Sequence, residues 1–308
     1  MIQIIGSVVV LACVAVGFMI EGGKLLALWH PAEFLIIIGA AFGAFLTSNP
    51  IKVVKASLTG IVALLKQERY EHEDYVSILK LLYEVLLRIR KEGLMAIEAD
   101  VDAPNGGQLF KKYPQIAHDH HLLQFITDSL RLMVTGNLDP HEFESLLDQE
   151  LETFQQEIHE PSHAVQRLAD SLPGFGIVAA VLGIVNTMAS IAGADTSTIG
   201  ERVASALVGT FLGILVSYGF AGPLAAAMGH AANDEAKAFE LVKMALVASV
   251  RGYVPAMAFE FSRKLLFSDV RPSFADLESQ LKGKGRPGAV KPTAVPSAPP
   301  VGAAKAST

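Results

Sequence analysis

The sequence predicts an all-α membrane protein with four transmembrane helices and a large helical cytoplasmic domain between spans two and three. Three observations lead there. Charged residues make up only 18% of the 308 residues, and 51% are hydrophobic, whereas soluble domains carry about 25% charged residues. The charges are nearly absent from four stretches and dense between them. Two of those stretches, Ser171–Ala192 and Val203–Gly229, hold no Asp, Glu, Lys, Arg or His. Each reaches the roughly 20 residues that cross a hydrocarbon core.

Span one covers about Ile2–Ile20. It has no charged n-region and no clear small-residue cleavage site, so it reads as a retained span and not a signal peptide. A loop of 13 residues follows, EGGKLLALWHPAE, whose Trp29 suits a membrane interface. Span two covers about Phe34–Pro50, where Gly39 and Gly43 give a GxxxG spacing. That spacing can bring helices close in lipid, although glycine is common throughout this chain. Residues 1–50 thus form a first hairpin.

Residues 51–170 read as a mostly helical cytoplasmic domain. Tyr75–Glu98 reads as one helix with Ile78, Leu82, Val85, Leu86 and Ile89 on an apolar stripe. Pro104, Asn105, Gly106 and Gly107 read as a turn. A helix over about His118–Thr135 should stop near Gly136–Asn137, and Asp139–Pro140 can open the next. Phe143–Ile158 then carries Phe143, Leu146, Leu147, Leu151 and Phe154 through an acidic surface, which makes it a helix with one apolar face to cover.

Residues 171–229 form the second hairpin, with spans at 171–192 and 203–229. Residues 230–282 should be cytoplasmic helices, with Phe239, Val242, Leu246 and Val250 buried and an interruption at Gly252 and Pro255. The tail, 283–308, is so rich in Gly, Pro, Ala, Ser and Lys that it cannot bury a core and is expected to be disordered.

Lys52, Lys55, Lys66 and Arg69 follow span two, and Lys237, Lys243 and Arg251 follow span four. The short loops hold only Lys24 and Arg202. The positive-inside rule then places both termini in the cytoplasm, as an even number of spans requires.

Several functions are disfavoured. A net charge of −6 gives no footprint for nucleic acid. Cys13 is the only cysteine, so no intrachain disulfide or thiolate metal site can form. His118, His120 and His121 lie in an HDHH run. Adjacent side chains on a helix point apart, so the ordinary reading is a solvated helix start and no metal is expected. Without HExxH, Walker A or GxSxG motifs, no enzyme and no cofactor are expected.

The spans are not plain anchors, because they carry Pro173, Asn186, Thr187, Thr210, Ser217, Tyr218 and Pro223. Such residues in lipid usually face other helices or a hydrated cavity. No carboxylate stands at mid-depth, so an ion path would need its acid from a partner. Thr210 is the leading polar lining residue. Its hydroxyl has an ordinary alternative, a bond back to the carbonyl four residues earlier. Arg90 and Glu98 are eight residues apart. On one continuous helix they would lie about 80° apart and about 12 Å along the axis, two opposite charges for one partner or simply a solvated face.

The stretches SLPGFGIVAAVLGIV, LVGTFLGILVSYGFAGPLA, GYVPAMAFEFSRKLLFSDVRPSFADLE and EGGKLLALWHPAEFLIIIGAAFGAF resemble the MotA family of flagellar-motor stator subunits, within a wider group that includes ExbB and TolQ. The resemblance implies five copies around two copies of a single-span, MotB-like partner, in the bacterial inner membrane. The partner supplies the proton-accepting Asp, and ion flow past it turns the ring against the rotor protein FliG. It also implies that Pro173 and Pro223 couple flow to movement, and that Arg90, Glu98 and, as a lesser third charge, Glu150 face the rotor. Thr210 matches a threonine beside the ion route. Ala180 stands where sodium-driven members carry a second threonine, which implies that this chain uses the proton gradient. An ExbB- or TolQ-like energy transducer and a structural scaffold are the competing readings.

Overall fold

The computed structural model describes residues 2–66, 70–103, 108–136, 139–189 and 195–273. The expected turn at 104–107 and the tail at 283–308 lie outside them, as does the last part of the 171–192 span. The helices in order are α1 (Ile2–Ile20), α2 (Pro31–Ser48), α3 (Ile51–Lys66), α4 (His72–Glu92), α5 (Glu98–Asp102) and α6 (Gln108–Lys111). There follow α7 (Pro114–His118), α8 (His120–Thr135), α9 (Pro140–Ala189), α10 (Thr196–Val216), α11 (Gly222–Val250) and α12 (Pro255–Leu265). A π turn, Ser217–Ala221, joins α10 to α11. Four of these segments are long and apolar enough to cross a membrane.

Local chemistry sets the helix ends. Asp119 caps α8 by accepting the Leu122 N–H at 2.9 Å. Glu71 and Asp74 form a reciprocal capping box at the start of α4. The Asp of the HDHH run is thus a cap, and it also accepts a hydrogen bond from the Tyr70 hydroxyl. The break expected at Gly252 and Pro255 is present. Gly252 has φ 85°, the Tyr253 N–H reaches the Ala248 carbonyl, and Pro255 opens α12. This is the paired-bond helix stop that a left-handed residue permits.

Two long rods dominate the chain. At about 1.5 Å per residue, the 50-residue α9 is about 75 Å long and carries the cytoplasmic segment and span three as one helix, with Pro161 and Pro173 inside it. No helix boundary falls at Ser171. The second rod, Thr196–Val250, passes through the π turn and leaves the span on the cytoplasmic side.

Three apolar clusters hold the rods to the first hairpin and its extension. Ile37 and Ala41 of α2 pack with Leu172, Ala179 and Leu212. Phe45 and Val54 pack with Ala164. Leu64 of α3 packs with Val165, Ala225, Ala227 and Met228. In the cytoplasmic part, Ile78, Leu82, Val85, Leu86, Phe239, Val242 and Leu246 are all buried, as the stripes predict, while Ile89 and Val250, at the ends of the same stripes, are only half-buried. Phe239 lies at the centre, its ring 3.9 Å from Phe154 and 5.1 Å from Phe125. Aromatic clusters of this kind add specific geometry to a large buried area.

Two expectations fail. Leu146 is 46% exposed, because Phe143, Leu147 and Leu151 already fill the buried side of α9. Tyr75–Glu98 is not one helix. Gly93 takes φ 86° and ψ 171°, a conformation that only glycine adopts readily, and α4 ends at Glu92. The geometry of about 80° and 12 Å for Arg90 and Glu98, which one continuous helix would give, therefore does not apply.

Candidate functional site

The wall of the candidate site is the contact between α9 and α10. Small residues let the two backbones meet. A Cβ on Gly176 would lie 3.0 Å from the Gly209 carbonyl oxygen and 3.4 Å from the Thr210 Cα. A Cβ on Gly183 would lie 2.8 Å from that of Ala206. Close packing of small residues supplies much of helix adhesion in lipid, where apolar burial gives little. Ala180, buried at 8% exposure, is one turn beyond Gly176 on the same helix. A Cβ on Gly209 would lie 3.4 Å from its backbone nitrogen. The fold thus brings Pro173, Ala180 and Thr210 onto one helix pair.

Thr210 is half-buried and has no hydrogen-bond partner for its hydroxyl among the described residues. The back-bond alternative is absent there, whereas Thr187 does bond back to the Gly183 carbonyl at 2.8 Å.

Each rod carries one of the two expected prolines. Pro173 lies inside α9. Pro223 follows the π turn, in which the Gly222 N–H donates to the Ser217 carbonyl five residues back. A proline withdraws one donor from the ladder, and a π turn is a common way to reroute the bonds around such a gap.

One polar group escaped the sequence reading. Glu33, assigned there to the loop, sits in the first turn of α2, since Pro31 opens that helix. Its carboxylate accepts a hydrogen bond from Ser205 at 3.1 Å, and Ser205 also pairs with His30 at 3.0 Å. Its Cγ lies 3.5 Å from where a Cβ of Gly209 would stand. A carboxylate is therefore packed against span four, near Thr210. The signal available in sequence was the Pro-Ala-Glu helix opening, and nothing there paired it with Ser205.

The rotor-facing candidates lie elsewhere, in the cytoplasmic part. Arg88 forms an ion pair with the buried Asp100 at 2.7 Å, which closes the chain around Gly93. Arg90 and Glu98 lie within that closed stretch, on either side of Gly93, both exposed and with no ion-pair partner among the described residues. Glu150 belongs to a different helix. It lies on α9 beside a pocket with His121, Phe125 and Phe239, and its carboxyl is held above the usual range by its packed surroundings and then by Asp128.

Residues 117–241 match the MotA/TolQ/ExbB proton channel family, and residues 4–93 match the Motility protein A N-terminal family. Motility protein A of Salmonella typhimurium is 40% identical over 287 residues, 93% of this chain and 97% of that protein. The chain belongs to the MotA/TolQ/ExbB proton channel family. Its relatives include Chemotaxis protein LafT of Vibrio parahaemolyticus, 43% identical over 91% of this chain and 98% of that protein. The fold matches that of C. jejuni MotAB, with a TM-score of 0.72 at 20% identity over 88% of this chain and 98% of that one. It also matches the Bacillus subtilis flagellar MotAB stator complex, with a TM-score of 0.70 at 21% identity over 89% and 100%. The family membership and the four apolar helices together make this a multi-pass inner-membrane protein.

Proposed function

We propose that this chain is a proton-conducting stator subunit of the flagellar motor, which works with a MotB-like single-span partner to turn inward proton flow into torque. One observation carries the reading: Pro173, Ala180 and Thr210 share a tightly packed helix pair whose spans, 171–192 and 203–229, hold no carboxylate of their own. A partner Asp beside Thr210 supplies the titrating group, and Glu33 with Ser205 and His30 forms the polar outer end of the wall.

A charged Asp seeks water or polar groups, and a protonated one does not. Each proton that reaches it changes which register of the surrounding helices is favoured. The rods carry that change inward through Pro173 and Pro223. Their cytoplasmic ends then move Arg90 and Glu98 against FliG, with Glu150 contributing less. About 2.3 kcal/mol is available per charge for each 100 mV crossed. Ala180 fits the proton and not the sodium ion, because its methyl cannot replace an oxygen of a sodium ion's water shell. Five copies around two partner helices is the assembly that family resemblance suggests. The Motility protein A N-terminal match over residues 4–93 favours the motor over an ExbB- or TolQ-like role.

The test is proton flux in cells that express the chain with its partner, read as cytoplasmic acidification. Flux should require both chains and vanish when the partner Asp becomes Asn. Leak through this chain alone, indifferent to that Asp, would refute the reading.

A further inference from the structure

Pro173 has no N–H, so the carbonyl four residues before it, on Ala169, receives nothing from position 173. That carbonyl accepts a hydrogen bond from the Ser217 hydroxyl at 2.7 Å, across the helix pair. Ala169 and Ser217 are each 1% exposed, so water is no substitute. Ser217 also opens the π turn that leads to Pro223, and its own carbonyl accepts the Gly222 N–H. One serine therefore touches both interruptions, with its side chain at the first and its main chain at the second. A serine within a helix usually spends its hydroxyl on its own preceding turn. Ser217 does not, because the close approach at Gly213 brings the other rod within reach.

We propose that Ser217 is a positioning residue for ion-driven movement. Its hydroxyl ties the backbone gap at Pro173 to the π turn before Pro223, so that the two rods bend together. The inference rests on the torque-generating reading above. Breaking the tie leaves a buried acceptor without its donor and lets each rod bend alone.

The experiment uses the full chain with its partner in motile cells that lack their own copy. Ser217→Ala should keep proton flux while losing most of the stall torque, and Ser217→Thr, which keeps a hydroxyl, should restore torque. Thermal stability of the purified complex gives a second readout. Ser217→Ala should lower Tm, but not in a Pro173→Ala background, where the substituted residue offers the Ala169 carbonyl a backbone N–H of its own. Wild-type torque in Ser217→Ala, no rescue by Ser217→Thr, or an equal Tm loss in both backgrounds overturns the proposal. A Ser217→Ala chain that fails to reach the membrane supports it if Pro173→Ala restores the level, and overturns it if not. Full torque in Pro173→Ala would instead refute the coupling reading on which the proposal rests.

Discussion

Gly176 and Gly213 meet backbone to backbone: a Cβ placed on Gly213 would lie 2.9 Å from the Gly176 Cα and 2.8 Å from the Leu172 carbonyl oxygen. Neither neighbour is a flexible side-chain end that can swing away. The contact sets how near the two rods lie, one turn from Pro173 and three residues from Thr210.

Gly213→Ala should therefore force the rods apart. Motility should be lost while the chain still reaches the membrane, because only about one side of one interface is strained. Gly174→Ala is the control, since a Cβ there meets nothing within 4 Å. Soft-agar swimming with a membrane immunoblot checks both. Normal swimming in Gly213→Ala would show that the close approach is dispensable.

Arg90→Glu and Glu98→Lys should each abolish or strongly reduce swimming. Both residues are exposed, and surface substitutions usually change stability by no more than about 0.5 kcal/mol. Membrane levels should then match the wild type, and a charge reversal on the rotor should restore swimming. If neither variant affects swimming, the pair is an ordinary solvated edge.

Phe239→Ala should destabilise the cytoplasmic part by about 3–5 kcal/mol, the usual cost of removing a buried aromatic ring. Phe239 is 2% exposed and stacks on Phe154. Thermal unfolding of the purified chain, or its protease resistance, gives the measurement. A loss within the error of a surface variant would contradict the packing.

Glu235, on the cytoplasmic extension of α11, lines a cavity of about 650 Å³ with Tyr70, Asp74 and Asp119. Burial, and then the Asp119 charge, push its carboxyl up from 4.5 to about 7. A raised carboxyl means that the native state binds its proton more tightly than the unfolded chain does. Its contribution to stability is fully present below pH 4.5 and is lost as pH rises through about 7. Glu235→Gln should then raise Tm at pH 8 and give little gain near pH 4.5. A gain independent of pH would show that the charge is not the cause.

The spans, their orientation and the buried stripes were legible because they depend on composition and periodicity along one segment. Phe239, Val242 and Leu246 are buried for the same reason that their spacing suggests. The break at Gly93 was harder to see. A glycine permits a turn without requiring one, and the turn is held by the Arg88–Asp100 ion pair across it. Glu33 was missed because its significance lies in Ser205, 172 residues away. No local pattern records such a pairing.

The sequence by itself determined what crosses the membrane and which side the charges occupy, since transfer from water to lipid is settled residue by residue. It also held the family's prolines and the absence of an acid in the two spans of the second hairpin. Only the tertiary structure decided that Arg90 and Glu98 flank a turn, that Glu33 leans on span four, and that Ser217 answers the carbonyl that Pro173 leaves. Those are distances of about a hydrogen bond between remote segments, and they exist only once glycines have let two backbones come into contact.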